Sequence, residues 1–228
     1  MVKSKKKILV VGSSRGIGAE IVKYFNNNKY YVIGISRSPS QDCEWIQADI
    51  STPEGIKQLS DILTKLSIDV LIFSSGVWEE YGFMEEFDFR KTSTWETSHI
   101  MYVNLIAPIE ITKVVSKNLA SSSNPRAIYL GALSGVENIA TSQVAYCASK
   151  FGLRGAIQGL RKVFKEENIG FTVINPGNVG TPEVMLDIEE GRFKDQTPIP
   201  ISDIISSIEF ILSVSSSVEI ADINLMQK

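Results

Sequence analysis

The segment KKILVVGSSRGIGAEI, residues 6–21, passes from an unbroken apolar run into a glycine-bearing turn and then into an amphipathic stretch. Four further runs share its form: YYVIGISRS (30–38), DVLIFSSG (69–76), AIYLGALSG (127–135) and FTVINPG (171–177). Apolar runs without polar alternation suit strands covered on both faces, the habit of parallel sheets. Amphipathic stretches lie between them at 16–27, 53–66, 95–119 and 146–167. WIQAD (45–49) and ADINLM (221–226) predict two more strands. Alternating β and α with right-handed crossovers predicts an α/β doubly wound parallel sheet, a Rossmann fold with helices on both faces. No linker or repeat interrupts the pattern, so residues 1–228 are expected to form a single domain. Ligands of such sheets bind beyond the carboxyl ends of the strands, so the residues just after each run carry the information.

A chain of 228 residues can bury a full core. Its net charge of −3 leaves no broad basic face for a phosphate backbone, so no nucleic-acid partner is expected. Lys3, Lys5, Lys6 and Lys7 read as a solvated tail before a buried strand. The apolar run after them is too short for a signal peptide or a membrane span, so no membrane partner is expected. Cys43 and Cys147 have neither metal-ligand nor disulfide-framework spacing, so no metal site is expected and a reducing cytoplasm is the simplest compartment.

The turn after the first run holds Gly12, Gly16 and Gly18 as GxxxGxG, with Ser13, Ser14, Arg15 and Ile17 between them. Gly12 permits a tight turn, and Gly16 and Gly18 remove the Cβ atoms that would hold a pyrophosphate off the helix N-terminus. Between a buried strand and an amphipathic helix, this spacing points to a dinucleotide. An acidic residue after the second strand would grip a ribose 2′-hydroxyl, but Arg37 stands there, with Arg15 in the glycine turn. Two guanidinium groups favour a 2′-phosphate, and hence NADP(H) over NAD(H). Asp49, with Ile50, is placed to meet the adenine edge, or Asp49 or Ser51 starts the next helix; the two roles are compatible.

Tyr146 and Lys150 are four apart and share a helix face. An ammonium beside a phenol lowers its pKa, which suits the phenol to move a proton to or from a carbonyl oxygen. Pro108 has no N–H, so the carbonyl of Asn104 loses its helical partner and can host a water.

Together, GxxxGxG at the first turn, Asn104 in a long middle helix, YCASK (146–150) and NPGNVGTP (175–182) resemble the short-chain dehydrogenase/reductase family over nearly the whole chain, 3-oxoacyl-carrier-protein and carbonyl reductases included. The resemblance implies Tyr146 as catalytic acid/base, Lys150 as the residue that tunes it and holds the nicotinamide ribose, and Asn104 as the member that positions a relay water. It implies Pro176, Gly177 and Val179 as the wall beside the nicotinamide, Thr181 as a partner of its carboxamide or pyrophosphate, and Ser75 and Gly76 as the turn at the adenine ribose.

The chain departs from the family pattern at three places. Val11 replaces a threonine and Ser74-Ser75-Gly76 replaces an Asn-Asn-Ala-Gly turn, which predicts a loss of bracing hydrogen bonds. Aligning ALSG to the family's Ser-x-x-Gly turn puts Ala132 where the substrate-orienting serine belongs, whereas counting back from Tyr146 reaches Ser134. Ser134 is taken as the catalytic hydroxyl, with Ser142 or a water as substitutes.

Residues 182–200 follow the sixth strand as a substrate lid, with Met185, Leu186 and Phe193 facing an apolar substrate. Residues 77–89 read as a solvated acidic and aromatic loop, and His99 as a helix-surface residue. The expectation is a cytoplasmic NADP(H)-dependent oxidoreductase that moves hydride between nicotinamide and a carbonyl or secondary alcohol, as a homodimer or homotetramer. Its rival, motivated by Ala132, is a catalytically weak NADP(H)-binding sensor or interaction protein.

Overall fold

The computed structural model describes residues 5–228 apart from 83, 85 and 193–195, so Lys3 and the lid residue Phe193 lie outside the described residues. Strands β1 (Lys7–Val11), β2 (Tyr31–Ser36), β3 (Glu44–Gln47), β4 (Val70–Phe73), β5 (Arg126–Leu130), β6 (Gly170–Pro176) and β7 (Asp222–Leu225) form one sheet in the order β3-β2-β1-β4-β5-β6-β7. Every pairing is parallel. The helices are α1 (Gly16–Asn27), α2 (Pro53–Leu63), α3 (Thr94–Met101), α4 (Ala107–Ala120), α5 (Val144–Val163), α6 (Pro182–Glu189) and α7 (Ile201–Ser213).

Alternate residues of β1 enter two different cores, which is why its sequence shows no polar alternation. Ile8 and Val10 pack with Ile21, Val22 and Phe25 of α1 and with Ile204, Ile208 and Ile211 of α7. Leu9 and Val11 pack with Leu59 of α2, Ile111 and Val115 of α4, and Leu153 and Ile157 of α5. Each such side chain, fully buried, contributes roughly 1.5–3 kcal/mol before the entropy of ordering it. Helix α7 was not anticipated, although Ile201, Ile204, Ile205, Ile208 and Ile211 recur at helical spacing.

Local chemistry sets the helix ends. Thr52, rather than Asp49 or Ser51, caps α2: its hydroxyl accepts from Gly55 N–H at 3.1 Å, and Pro53 occupies the first turn. Ser93 caps α3 by accepting from Glu96 N–H at 3.1 Å. The expected 95–119 helix is two helices joined by a π turn, Tyr102–Ile106, in which Ala107 N–H reaches back to Tyr102 O. Pro108 cannot donate within the helix, and the chain answers with one wide turn. Among the described residues, no helix is long and apolar enough to cross a membrane.

Candidate active site

Strand β1 lies between β2 and β4, so the chain order reverses there and a crevice opens at the carboxyl ends. Gly12 turns the backbone at φ +89°, and a Cβ on it would come within 2.7 Å of Ser75 N. Gly18 proves to be a packing residue: a Cβ there would overlap the Gly12 carbonyl, so its absence seats α1 against β1 rather than admitting a phosphate. Gly16, at φ +54°, is the open one: among the described residues only the Thr181 and Glu183 side chains come near its Cβ position. The N-terminus of α1 has no side-chain cap and no acidic residue in its first turn. Those free N–H groups and the open glycine fit a pyrophosphate.

The expected loss of bracing at SSG does not occur. Ser74 Oγ donates to Val11 O at 2.9 Å, and Ser74 and Ser75 N–H both reach Val11 O, so a serine supplies the tie across β1 and β4. The Ser13 hydroxyl points inward to Ser36 Oγ at 3.2 Å, which leaves Ser14 and the backbone to face the crevice. Arg15 and Arg37 are both exposed and form no ion pair among the described residues. Asp49 stands near Arg37: burial alone would raise its pKa, but two bonds from Ser51, with Arg37 and His99, hold it below the usual carboxylate value. Ile50 packs against the core beside it.

Asn104 lies in the π turn and is 1% exposed. Its Oδ1 accepts from Val77 N–H at 2.9 Å, and its Nδ2 donates to Val77 O at 2.7 Å and Ser149 Oγ at 3.0 Å. The side chain therefore ties the segment after β4 to α5 with both amide hydrogens used, and one lone pair of Oδ1 is left to accept from a water. Lys150 is 4% exposed; its Nζ donates to Leu130 O at 2.9 Å and sits 5.6 Å from the centre of the Tyr146 ring. Gly76 is the close neighbour of both, since a Cβ there would stand 3.4 Å from Lys150 Nζ and 3.7 Å from Asn104 Oδ1.

Burial lowers the Lys150 pKa to about 8. The Tyr146 phenol moves against expectation: burial first, then the charges of Cys147 and Glu79, push it well above its usual value, and only Ser134 pulls it down. The ammonium that was to depress it is itself desolvated and stands over the ring.

Ser134 and Ala132 are both buried at the end of β5. Ala132 is extended, and Ser134 lies in the short helical turn Leu133–Gly135 that follows. The Ser134 hydroxyl affects the Tyr146 phenol yet makes no hydrogen bond of good geometry to any described protein group. The alternative donor Ser142 is exposed.

On the far wall, Pro176 ends β6, Gly177 N–H donates to Leu225 O at 2.9 Å, and buried Val179 pairs with Ile199. Thr181 caps α6 through Val184 N–H at 3.3 Å while its methyl faces Gly16. Of the expected 182–200 lid, the described residues form the helix α6 with the turn after it, where Met185 and Leu186 are exposed, and the stretch 196–200, where Ile199 is buried against Val179. His99 stacks on Trp95 at the surface. The 77–89 stretch is not wholly solvated: Glu79 is 1% exposed and touches the first turn of α5, a contact that no sequence spacing announces.

The short chain dehydrogenase profile matches residues 6–190. The ketoacyl reductase HetN of Nostoc sp. is 28% identical over 197 residues, which span 80% of this chain and 66% of that protein. The 3-oxoacyl-[acyl-carrier-protein] reductase FabG of Haemophilus influenzae is 26% identical over 227 residues, 91% of this chain and 90% of its own. A 4-hydroxyisoleucine dehydrogenase complexed with NADH superposes with a TM-score of 0.78 at 26% identity, over 97% of this chain and 96% of that one. With the sheet order, the glycine turn and the Tyr146–Lys150 pair in place, the match places this chain in the short-chain dehydrogenase family.

Proposed function

We propose that the chain is an NADP(H)-dependent reductase of carbonyl compounds that also runs as a secondary-alcohol dehydrogenase, its residues forming one catalytic unit. The observation that carries the reading is the buried Ser134 hydroxyl set toward the Tyr146 phenol, with the Lys150 ammonium 5.6 Å from the centre of the same ring. The ketoacyl and 3-oxoacyl reductases among the relatives support a carbonyl substrate.

A nicotinamide dinucleotide, when bound, supplies or takes up hydride at the substrate carbon. Gly12, Ser14, Gly16, Ile17 and the α1 N-terminus would hold its pyrophosphate, and Asp49, Ile50, Ser75 and Gly76 its adenosine. Lys150 would hold the second ribose, and Pro176, Gly177, Val179 and Thr181 the nicotinamide. The solved 4-hydroxyisoleucine dehydrogenase carries NADH, so the preference for NADP(H) rests on this chain's own Arg15 and Arg37.

Tyr146 donates its phenolic proton to the carbonyl oxygen as that oxygen gains charge, and Ser134 donates a hydrogen bond to the same oxygen. The raised phenol pKa keeps the proton in place at neutral pH, which suits reduction; oxidation of an alcohol needs the phenolate and gains as pH rises. Asn104 holds the segment after β4 against α5, and the π turn around it leaves backbone for a relay water. Exposed Ile106, Val144 and Phe151 support a homodimer or homotetramer.

Fluorescence titration with NADPH and NADH, followed by a carbonyl panel that includes 3-oxoacyl thioesters, tests this reading. Tight NADPH binding with turnover of a carbonyl supports it. NADPH binding without turnover of any member supports the sensor reading that Ala132 favours.

A further inference from the structure

Glu79 sits in an acidic and aromatic stretch, yet it is 1% exposed. Its Oε1 accepts from the backbone N–H of Ala145 at 2.9 Å and of Tyr146 at 3.3 Å. The residue placed to cap α5, Gln143, makes no side-chain cap bond; its amide donates to the Gly82 carbonyl and accepts from the Thr141 hydroxyl. The cap comes instead from a carboxylate on a different segment of chain. Its other oxygen, Oε2, is buried without a hydrogen-bond partner, and Glu79 forms no ion pair among the described residues.

A neutral serine or asparagine caps a helix as well as a carboxylate does, without a buried charge. The two N–H groups and the dipole of α5 compensate Oε1, but Oε2 stays buried without a hydrogen-bond partner among the described residues, a cost that capping alone does not explain. The groups that surround the phenol supply a reason. Lys150 faces the ring from α5 and the Ser134 hydroxyl approaches from the turn after β5; Cys147, next on α5, has its Sγ against Thr141, and Glu79, on the segment after β4, holds the backbone N–H of Tyr146 itself. Glu79 joins the phenol to that segment twice, through the backbone of Tyr146 itself and through charge.

We propose that Glu79 is a positioning residue for Tyr146: its buried carboxylate clamps the first turn of α5, from which the phenol hangs, and acts on the phenol through that turn. This deepens the reading of Tyr146 as the acid/base and rests on it. The consequence is a phenol that holds its proton through neutral pH and gives it up readily only to a developing oxyanion.

Glu79→Gln preserves an acceptor for the two N–H groups and removes the charge; Glu79→Ala removes both. With Tyr146 replaced by 3,5-difluorotyrosine, whose phenol ionises in an accessible pH range, fluorine NMR of the NADP⁺-bound protein reads the phenol directly and needs no substrate. Glu79→Gln is expected to lower the midpoint by roughly half a pH unit or more. In the unfluorinated protein, the pH profile of carbonyl reduction should shift the same way, with kcat changed more than KM. A midpoint in Glu79→Gln equal to that of the parent overturns the proposal and leaves Glu79 as a cap only. Should Glu79→Ala fail to fold, Glu79→Gln alone decides. A shifted midpoint in a protein that reduces no carbonyl supports the coupling and counts only against the reductase reading.

Discussion

The Lys150 ammonium lies 5.6 Å from the centre of the Tyr146 ring while it donates to the Leu130 carbonyl at 2.9 Å. The strand end thus fixes the cation over the face of the Tyr146 ring. Burial on this scale carries a cost that can be measured.

Burial lowers the Lys150 pKa to about 8, below that of an unfolded lysine. Below pH 8 both states are protonated and the folded state bears the full penalty. Between about pH 8 and 10 the folded protein loses the proton first, so stability should rise by up to roughly 3 kcal/mol. Above pH 10 the raised phenols of Tyr129 and Tyr146 act in the opposite sense, because the unfolded chain ionises first and stability falls. Urea midpoints for wild type and Lys150→Met at pH 7, 8.5 and 9.5 check this: the rise should vanish in the variant.

Ser134→Ala should cut carbonyl turnover by on the order of 10²–10³ while cofactor affinity stays unchanged. The same change removes a buried hydroxyl whose contact is a poorly aligned one to the Tyr146 phenol, so thermal stability should change by less than about 1 kcal/mol. Ala132→Ser in that background should not restore the rate. Steady-state kinetics beside thermal melts separates these outcomes from a folding defect.

Arg37→Ala should weaken NADPH binding about 10- to 100-fold, the worth of a charge-assisted contact, and leave NADH nearly unchanged. Equal losses for both cofactors would assign Arg37 a role other than reading a 2′-phosphate. Fluorescence titration of both cofactors at fixed ionic strength makes the comparison.

The strands and the crevice were legible because they depend on short-range chemistry. The run Ile8–Val11 can be satisfied only between two cores, and Gly12 only at a turn with positive φ. The bracing role of Ser74, the tie of the Asn104 side chain to Val77 and the burial of Glu79 depend on partners more than 20 residues away, and neither period nor motif encodes those. The Tyr146 phenol was misjudged for the same reason. The ammonium four residues on is visible in sequence, whereas the burial that raises the phenol comes from the packed fold.

The most direct test of the central claim compares wild type with Tyr146→Phe on whichever carbonyl the protein reduces, at pH 7 with saturating NADPH. The account predicts a loss of roughly 10²–10⁴-fold in kcat, with NADPH affinity and thermal stability preserved. Turnover by Tyr146→Phe at the wild-type rate would contradict it, because the proton would then come from another group.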